Sequence, residues 1–358
     1  MYALLKSTGY VYSYDMLGEG ARTLADADRY YKAYSDAIEV IGKAGAGKGP
    51  RLSPGISVKL SAIHPRYDFL KYETAVPEIC ERLKNLCLQA KKHDIGLTVD
   101  AELKMLRVIK RLKEASPLTI KATFLGAHAF PLEFKENHQG YIDQIINEML
   151  PVIENEGLAD YIDAFCERNY FSKEELDQIL EAGAKHGLTP KVHVNQFSVQ
   201  GGVEVSIKHG ARSVDHLEEL DQNDIDALKE SQCMPTILPS CSFFLNIPYG
   251  DARRLMNENI PVALATDYNP GSTPSGNIPF VMSLACIKMK MTPNEALNAT
   301  TLNSAFAMNL EESHGSITEG KVANIIISKE IPSVAHIPYS FGSNPVESLI
   351  LNGKIIFF

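Results

Sequence analysis

Cysteine is scarce: Cys80, Cys87, Cys166, Cys233, Cys241 and Cys286 are all there is, with no CxxC pair and no zinc-finger spacing. That excludes a disulfide framework and suits reduced thiols in a cytoplasmic protein. No apolar run approaches the roughly 18 residues of a membrane-spanning helix. The opening MYALLKSTGYVYSYD lacks the continuous apolar core of a secretion signal, so none is expected. An excess of basic charge is also missing. Lys and Arg number 35 against 44 Asp and Glu, a net charge of -9, and the signs are mixed along the chain. This argues against nucleic acid or an anionic membrane as a main partner and leaves a small-molecule substrate. No GxGxxG follows any candidate strand, which weakens a dinucleotide-binding open sheet. There is no low-complexity segment and no obvious linker.

What is present is a regular alternation. The chain has 358 residues and 45% hydrophobic content, enough for a full core and for an α/β barrel of about 250 residues with additions. Short apolar runs at 10–19, 55–62, 95–102, 120–128, 161–167, 190–196, 212–218, 234–240 and 261–267 read as strands. Amphipathic helices are expected between them, at 26–42, 74–93, 103–114, 140–154, 173–186, 200–209, 221–231, 250–258 and 293–308. Such units imply parallel strands with helical crossovers, and about eight of them make a TIM-type (β/α)8 barrel the leading α/β architecture. A doubly wound sheet is the runner-up. Nine candidate strands are one too many for a closed barrel, so one, YVYSYDMLGE or IGLTVDAE, is expected to be displaced. From 311 the pattern changes to short runs with Gly-containing turns, and Asn352-Gly353 suits a two-residue hairpin. The expected organisation is a first part at 1–102, the rest of the barrel at 103–310 and a small β segment at 311–358.

In a parallel barrel, chemistry sits at the C-terminal ends of the strands. In KVHVNQ (191–196), Val192 and Val194 share one face, and His193 and Asn195 share the other, with Gln196 at the rim. In PVALATD (261–267), Ala263, Ala265 and Asp267 share a face, leaving room above two small residues. His128 closes TFLGAH and His216 closes SVDH. Imidazole and carboxylate groups at matching depth suit a divalent metal with an open position for water. A lone strand-end histidine is more often a hydrogen-bonded structural residue, and three such ends bring the two readings level. The loop YNPGSTPSGN (268–277) is an ordinary β–α turn or a substrate loop carrying Asn269, Gly271 and Ser272. Asp15, Lys59 and Asp100 also lie near strand ends, where salt bridging and capping are the plainer readings.

TFLGAHAFP, KVHVNQF, SVDHLEEL and LATDYNPGSTPSGN, in that order and spacing, resemble imidazolonepropionase, of the amidohydrolase superfamily. The resemblance runs from about 96 to 358. It implies a hydrolase acting on a cyclic amide C–N bond, in which a metal-bound water opens the ring of 4-imidazolone-5-propanoate to N-formimino-L-glutamate in histidine degradation. It further implies one Zn2+ or Fe per chain, with His193 and Asp267 as metal ligands. His216 would be catalytic or metal-proximal, and Asp267 would also shuttle a proton. His128, Gln196, Asn269, Gly271 and Ser272 would contact substrate. The sequence leaves a homodimer open.

That family's first strand ends in a His-x-His pair that supplies two metal ligands. None of the ten histidines here is followed two residues later by another. The first third resembles a different family. SYDMLGEGARTLADADRYYKAY (13–34), VKLSAIHPRY (58–67) and DIGLTVDAE (94–102) look like proline dehydrogenase, a flavin barrel. On that resemblance Lys59 could meet a substrate carboxylate, and Asp100 could pair with a base or an arginine. The later strands that hold FAD there have no counterpart, so FAD is not expected. The chain reads as a mosaic with its seam at IGLTVDAEL, where Asp100 is a strand-end or helix-cap residue. Three readings follow: a metal-dependent hydrolase with a depleted ligand set, a proline dehydrogenase fragment, and an inactive barrel scaffold.

Overall fold

The computed structural model describes residues 13–15, 23–45, 55–58, 63, 72–92, 97–99, 102–131, 134–269 and 271–357. The chain divides into two compact units, Met1–Lys104 and Met105–Phe358.

In the first unit, β1 (Ser13–Asp15), β2 (Gly55–Val58) and β3 (Leu97–Val99) form a parallel sheet in that order. Parallel neighbours need a crossover, and the helices Leu24–Gly45 and Tyr72–Lys92 lie in the connections. The first helix begins with a reciprocal cap. Thr23 Oγ1 accepts from Asp26 N, and Asp26 Oδ2 accepts from Thr23 N, both at 3.1 Å. Its buried residues Tyr34, Ile38 and Ile41 recur at helical spacing and pack with Ile56, Val58, Ile63, Leu86 and Ala90. Burying each large side chain of that kind contributes about 1.5–3 kcal/mol.

In the second unit, six parallel strands lie side by side in sequence order: β4 (Thr123–Ala127), β5 (Tyr161–Cys166), β6 (Thr189–Val194), β7 (Ser213–His216), β8 (Met234–Ile237) and β9 (Ala263–Leu264). Every residue of β5 is buried, as expected of a strand covered on both faces. The helices Lys173–Lys185, Gln222–Lys229 and Pro293–Thr300 open with capping boxes at Ser172/Glu175, Asp221/Asp224 and Thr292/Glu295. The α/β class and the strand–helix alternation are as the sequence predicts. Among the described residues the nine strands fall into a set of three and a set of six.

Several elements differ from expectation for identifiable reasons. The run 234–240 is a strand only to Ile237; Pro239 then occupies the first turn of the helix Pro239–Leu245, where its missing N–H costs nothing. The helix Ile278–Lys288 was not anticipated: Val281, Met282, Ser283, Leu284 and Ala285 are consecutively buried, so it shows no amphipathic period. The expected helix 293–308 breaks at Thr301, where ψ is -82°. The helix expected at 140–154 contains a π segment, Ile145–Met149.

The C-terminal antiparallel sheet has the order β10 (Ile325–Ser328), β11 (Val346–Leu351) and β12 (Lys354–Phe357). Asn352 and Gly353 make the predicted hairpin turn, with φ of 49° and 76°. Both central residues of such a turn need positive φ, which is why Asn-Gly serves there. Among the described residues, no helix is long and apolar enough to cross a membrane.

Candidate active site

The odd-numbered residues of β5, β6 and β7 place a polar column on one face of a largely buried sheet. Asp163, Lys191, His193, Ser213 and Asp215 all belong to it, with His193 beside Asp215 in register. Asp163 organises His193. Its Oδ2 lies 2.7 Å from His193 Nδ1, and its Oδ1 accepts the backbone N–H of His193 at 3.0 Å. With Nδ1 engaged, Nε2 is the ring atom left for other work. Burial pulls the His193 imidazole down, but the charge and hydrogen bond of Asp163, with Asp215 and Asp267 behind it, raise it to about 9. Lys191 Nζ donates to Ser213 Oγ at 2.5 Å, and Ser213 Oγ donates to Asp215 Oδ1 at 2.7 Å. Burial pushes the Asp215 carboxyl up, yet Lys191, His193 and the Ser213 bond outweigh it and hold it low.

The strand ends then gather the remaining candidates. His193 and His216 have ring centroids 5.2 Å apart. His128 is exposed, stacks on Phe165 at 5.7 Å, and lies within electrostatic reach of His193, His216 and Asp267. Gln196 is buried and donates to Cys241 Sγ at 3.4 Å. Burial pushes the Cys241 thiol up to about 12, and Asp267 and Glu218 push the same way. His216 and Glu218 are both buried, with Nδ1 and Oε2 3.4 Å apart.

The loop after β9 is organised by one side chain. Asn269 Oδ1 accepts from Gly271 N at 2.9 Å and Ser272 N at 2.7 Å. Its amide nitrogen donates to Asp267 O and Ser272 Oγ, both at 2.7 Å. Ser272 Oγ in turn donates to Asp267 Oδ2 at 3.0 Å. Asn269 and Ser272 therefore hold Asp267 and each other in this structure.

Strand alternation breaks where the site begins. Asn195 was expected on the face of His193, but its φ of 56° turns its side chain to donate to Asp224 Oδ2 at 3.0 Å. Asp267 has φ of 54° and lies beyond the two-residue β9, so the expected shared face with Ala263 and Ala265 does not extend to it. His216 and Leu217 are also left-handed, at φ of 87° and 62°. Such backbone costs on the order of 1–3 kcal/mol per residue and clusters at functional sites.

His128, His193, Gln196, His216, Asp267, Asn269, Gly271 and Ser272 thus lie around one group of strand ends in the second unit. Asp15 ends β1 in the first unit, while Lys59 and Asp100 lie outside the described residues. Sequence reasoning missed Asp163, Lys191, Asp215, Glu218 and Cys241. The available signal was a charged residue at alternate positions of otherwise apolar strands, as in YIDAFC.

Comparison with known proteins adds to this geometry. Residues 2–119 match the proline dehydrogenase family, and residues 76–356 match the amidohydrolase family. β3 falls where the two matches overlap, so the chain is a mosaic of two family resemblances. An imidazolonepropionase from Flavobacterium johnsoniae is 60% identical over 265 residues, covering 74% of this chain and 64% of that protein. One from Geobacillus thermodenitrificans is 43% identical, covering 74% and 62%. The chain therefore spans a little under two thirds of the length of these relatives. In fold it is similar to an adenosine deaminase from Xanthomonas campestris with bound zinc, at TM-score 0.57 and 13% identity over 80% of this chain and 72% of that one. An amidohydrolase from a Sargasso Sea sample gives TM-score 0.51 at 14% identity over 96% and 77%. With a family match across most of its length and strand ends that converge on histidine and aspartate, the chain belongs to the amidohydrolase family.

Proposed function

We propose that the chain is a hydrolase of the imidazolonepropionase kind, acting on the ring C–N bond of 4-imidazolone-5-propanoate to give N-formimino-L-glutamate. The observation that carries this reading is the 60% identity to the Flavobacterium johnsoniae imidazolonepropionase over 265 residues, 74% of this chain. Zinc or iron, one per chain, is the cofactor this reading calls for, and His193 and Asp267 are its ligands. When bound, such a cation acidifies water to give hydroxide near neutral pH.

The residues present fit the cation in part. His193 has Nδ1 committed to Asp163, the carboxylate–histidine arrangement that orients a ligating imidazole. Asp267 supplies an anionic oxygen. Two donors fall short of the roughly three protein ligands of an open catalytic zinc site. The His-x-His pair that would complete the set is absent from the sequence.

The other groups have assignable work. His216 stands beside His193 and exchanges a proton with the reacting water or the departing ring nitrogen. Gln196 cannot titrate and binds substrate by hydrogen bonding. His128, Asn269, Gly271 and Ser272 line the approach. The segments 1–102, 103–310 and 311–358 are the first part of the barrel, its remainder and a partial β domain.

The test is turnover of imidazolone propionate by the full chain reconstituted with Zn2+ or Fe2+, with H193A and D267A alongside. Ring opening lost in both variants is the expected result. Turnover retained in either one rejects the ligand assignment. A metal-loaded chain with no turnover rejects the activity and leaves an inactive scaffold.

A further inference from the structure

We infer that His216, Glu218 and Cys241 form a binding site for a borderline-soft divalent cation, zinc foremost, with a donor set different from the His193–Asp267 pair that it adjoins. The inference uses neither His193 nor Asp267, and it stands whether or not the ring-opening reading holds.

Convergence is the first ground. One donor atom from each of the three residues can be chosen so that all lie within 4.8 Å of one another, and all three residues are buried. Unmet demand is the second. His216 Nδ1 and Glu218 Oε2 are buried without a hydrogen-bond partner, although they face each other at 3.4 Å. A simple His–Glu hydrogen bond would close that gap to an ordinary length. A cation between them gives both atoms a partner and places an imidazole nitrogen, a carboxylate oxygen and a sulfur around one point. Buried polar atoms left unpaired are costly, and a cation-binding role is one recognised reason for them.

The surroundings hold the donors in place. Ser242 Oγ donates to Glu218 Oε1 at 3.0 Å, leaving Oε2 directed elsewhere. Gln196 Nε2 donates to Cys241 Sγ at 3.4 Å and fixes the sulfur's position. The backbone is left-handed at His216 and Leu217, between the imidazole and the carboxylate. A mixed N, O, S donor set favours zinc over hard cations such as Mg2+ or Ca2+, which take oxygen ligands. Three protein donors also leave a position open. The cysteine is specific to this site, since the metal set implied by the imidazolonepropionase resemblance contains none.

The experiment is cobalt titration of the full chain after removal of metals with a chelator, read by absorbance. The expected result is a sulfur-to-cobalt charge-transfer band in the near ultraviolet that saturates at about one Co2+ per chain, whatever cobalt the His193–Asp267 pair also takes, and is bleached when Zn2+ displaces it. C241S should abolish the band and weaken Co2+ binding by about tenfold or more. E218Q should weaken binding with the band retained. C233S, at a buried cysteine elsewhere, and H193A should both keep the band. If C241S loses its native circular dichroism, C241A takes its place, and E218Q reports independently. No band on cobalt binding, or a band that survives loss of the Cys241 thiol, overturns the site. Cobalt bound without a band and lost in H193A overturns this site while supporting His193 as a ligand.

Discussion

Asp163 holds His193 at two points, through Nδ1 at 2.7 Å and through the backbone N–H at 3.0 Å. One carboxylate thus sets both the ring's orientation and its charge. If the proposed ring opening and the proposed role of His193 as a ligand hold, D163N should lower that activity about 10–100-fold, the usual loss when the group behind a ligating histidine is changed. It should also bring the His193 imidazole down from about 9 toward or below its ordinary value. NMR titration of the ring in metal-free protein measures this directly. An unchanged midpoint in D163N would show that Asp163 is not the source of the shift.

The same pair gives the metal-free chain a signed pH dependence. The His193 value is about 9 in the folded state against an ordinary 6.5. Its contribution to stability is therefore fully present below about pH 6.5 and lost as pH rises through 9. The upper bound is on the order of 3 kcal/mol. Thermal melts of the chelator-treated chain should decline over that window, and D163N should flatten the decline. A melt that is level from pH 6 to about 9.5 would be incompatible with this account.

Gly202 closes a packing problem beside the site. A Cβ there would stand 2.8 Å from Val194 Cγ1 and 3.0 Å from Cys166 Sγ, both in the core. G202A should cost about 1–3 kcal/mol by overpacking. Adding V194A makes room, so the double variant should lose less than the sum of the two single losses. Additive losses measured by urea melts would place the cost of G202A elsewhere.

Regular periodicity made much of this architecture legible. Val192 and Val194 alternate with His193, so β6 and the placement of His193 could be read directly. Legibility failed where the backbone left its regular period. Asn195, His216 and Asp267 are left-handed, and no alternation rule carries a side chain through such a residue. Cys241 lay hidden because MPTILPS reads as one strand, whereas the chain turns into a helix at Pro239. Asp163 is a lone charge in an otherwise apolar strand, and its meaning depends on His193, thirty residues away in sequence but on the neighbouring strand. The helix Ile278–Lys288 gave no amphipathic signal because its consecutive buried residues leave no polar stripe over that stretch.

Asp224 is a carboxyl whose environment works against its charge. It is fully buried, and burial chiefly, with Asp221 and Glu204 adding to it, raises its carboxyl to about 6. Its Oδ2 accepts from Asn195 Nδ2 and from Asp221 N, each at 3.0 Å, while Oδ1 has no partner. An acid whose folded-state value is raised stabilises the fold while it is protonated. That contribution is fully present below about pH 4 and is lost as pH rises through 6. Above pH 7 the buried charge should cost on the order of 2–3 kcal/mol. D224N keeps an oxygen for the two donors and removes the charge. It should therefore melt higher than the parent chain at pH 8, and the advantage should shrink as pH falls toward 4. The decisive measurement is the difference in Tm between the two proteins across that range. A difference independent of pH would mean that Asp224 does not titrate between the folded and unfolded states, and that its orphaned oxygen is satisfied by water.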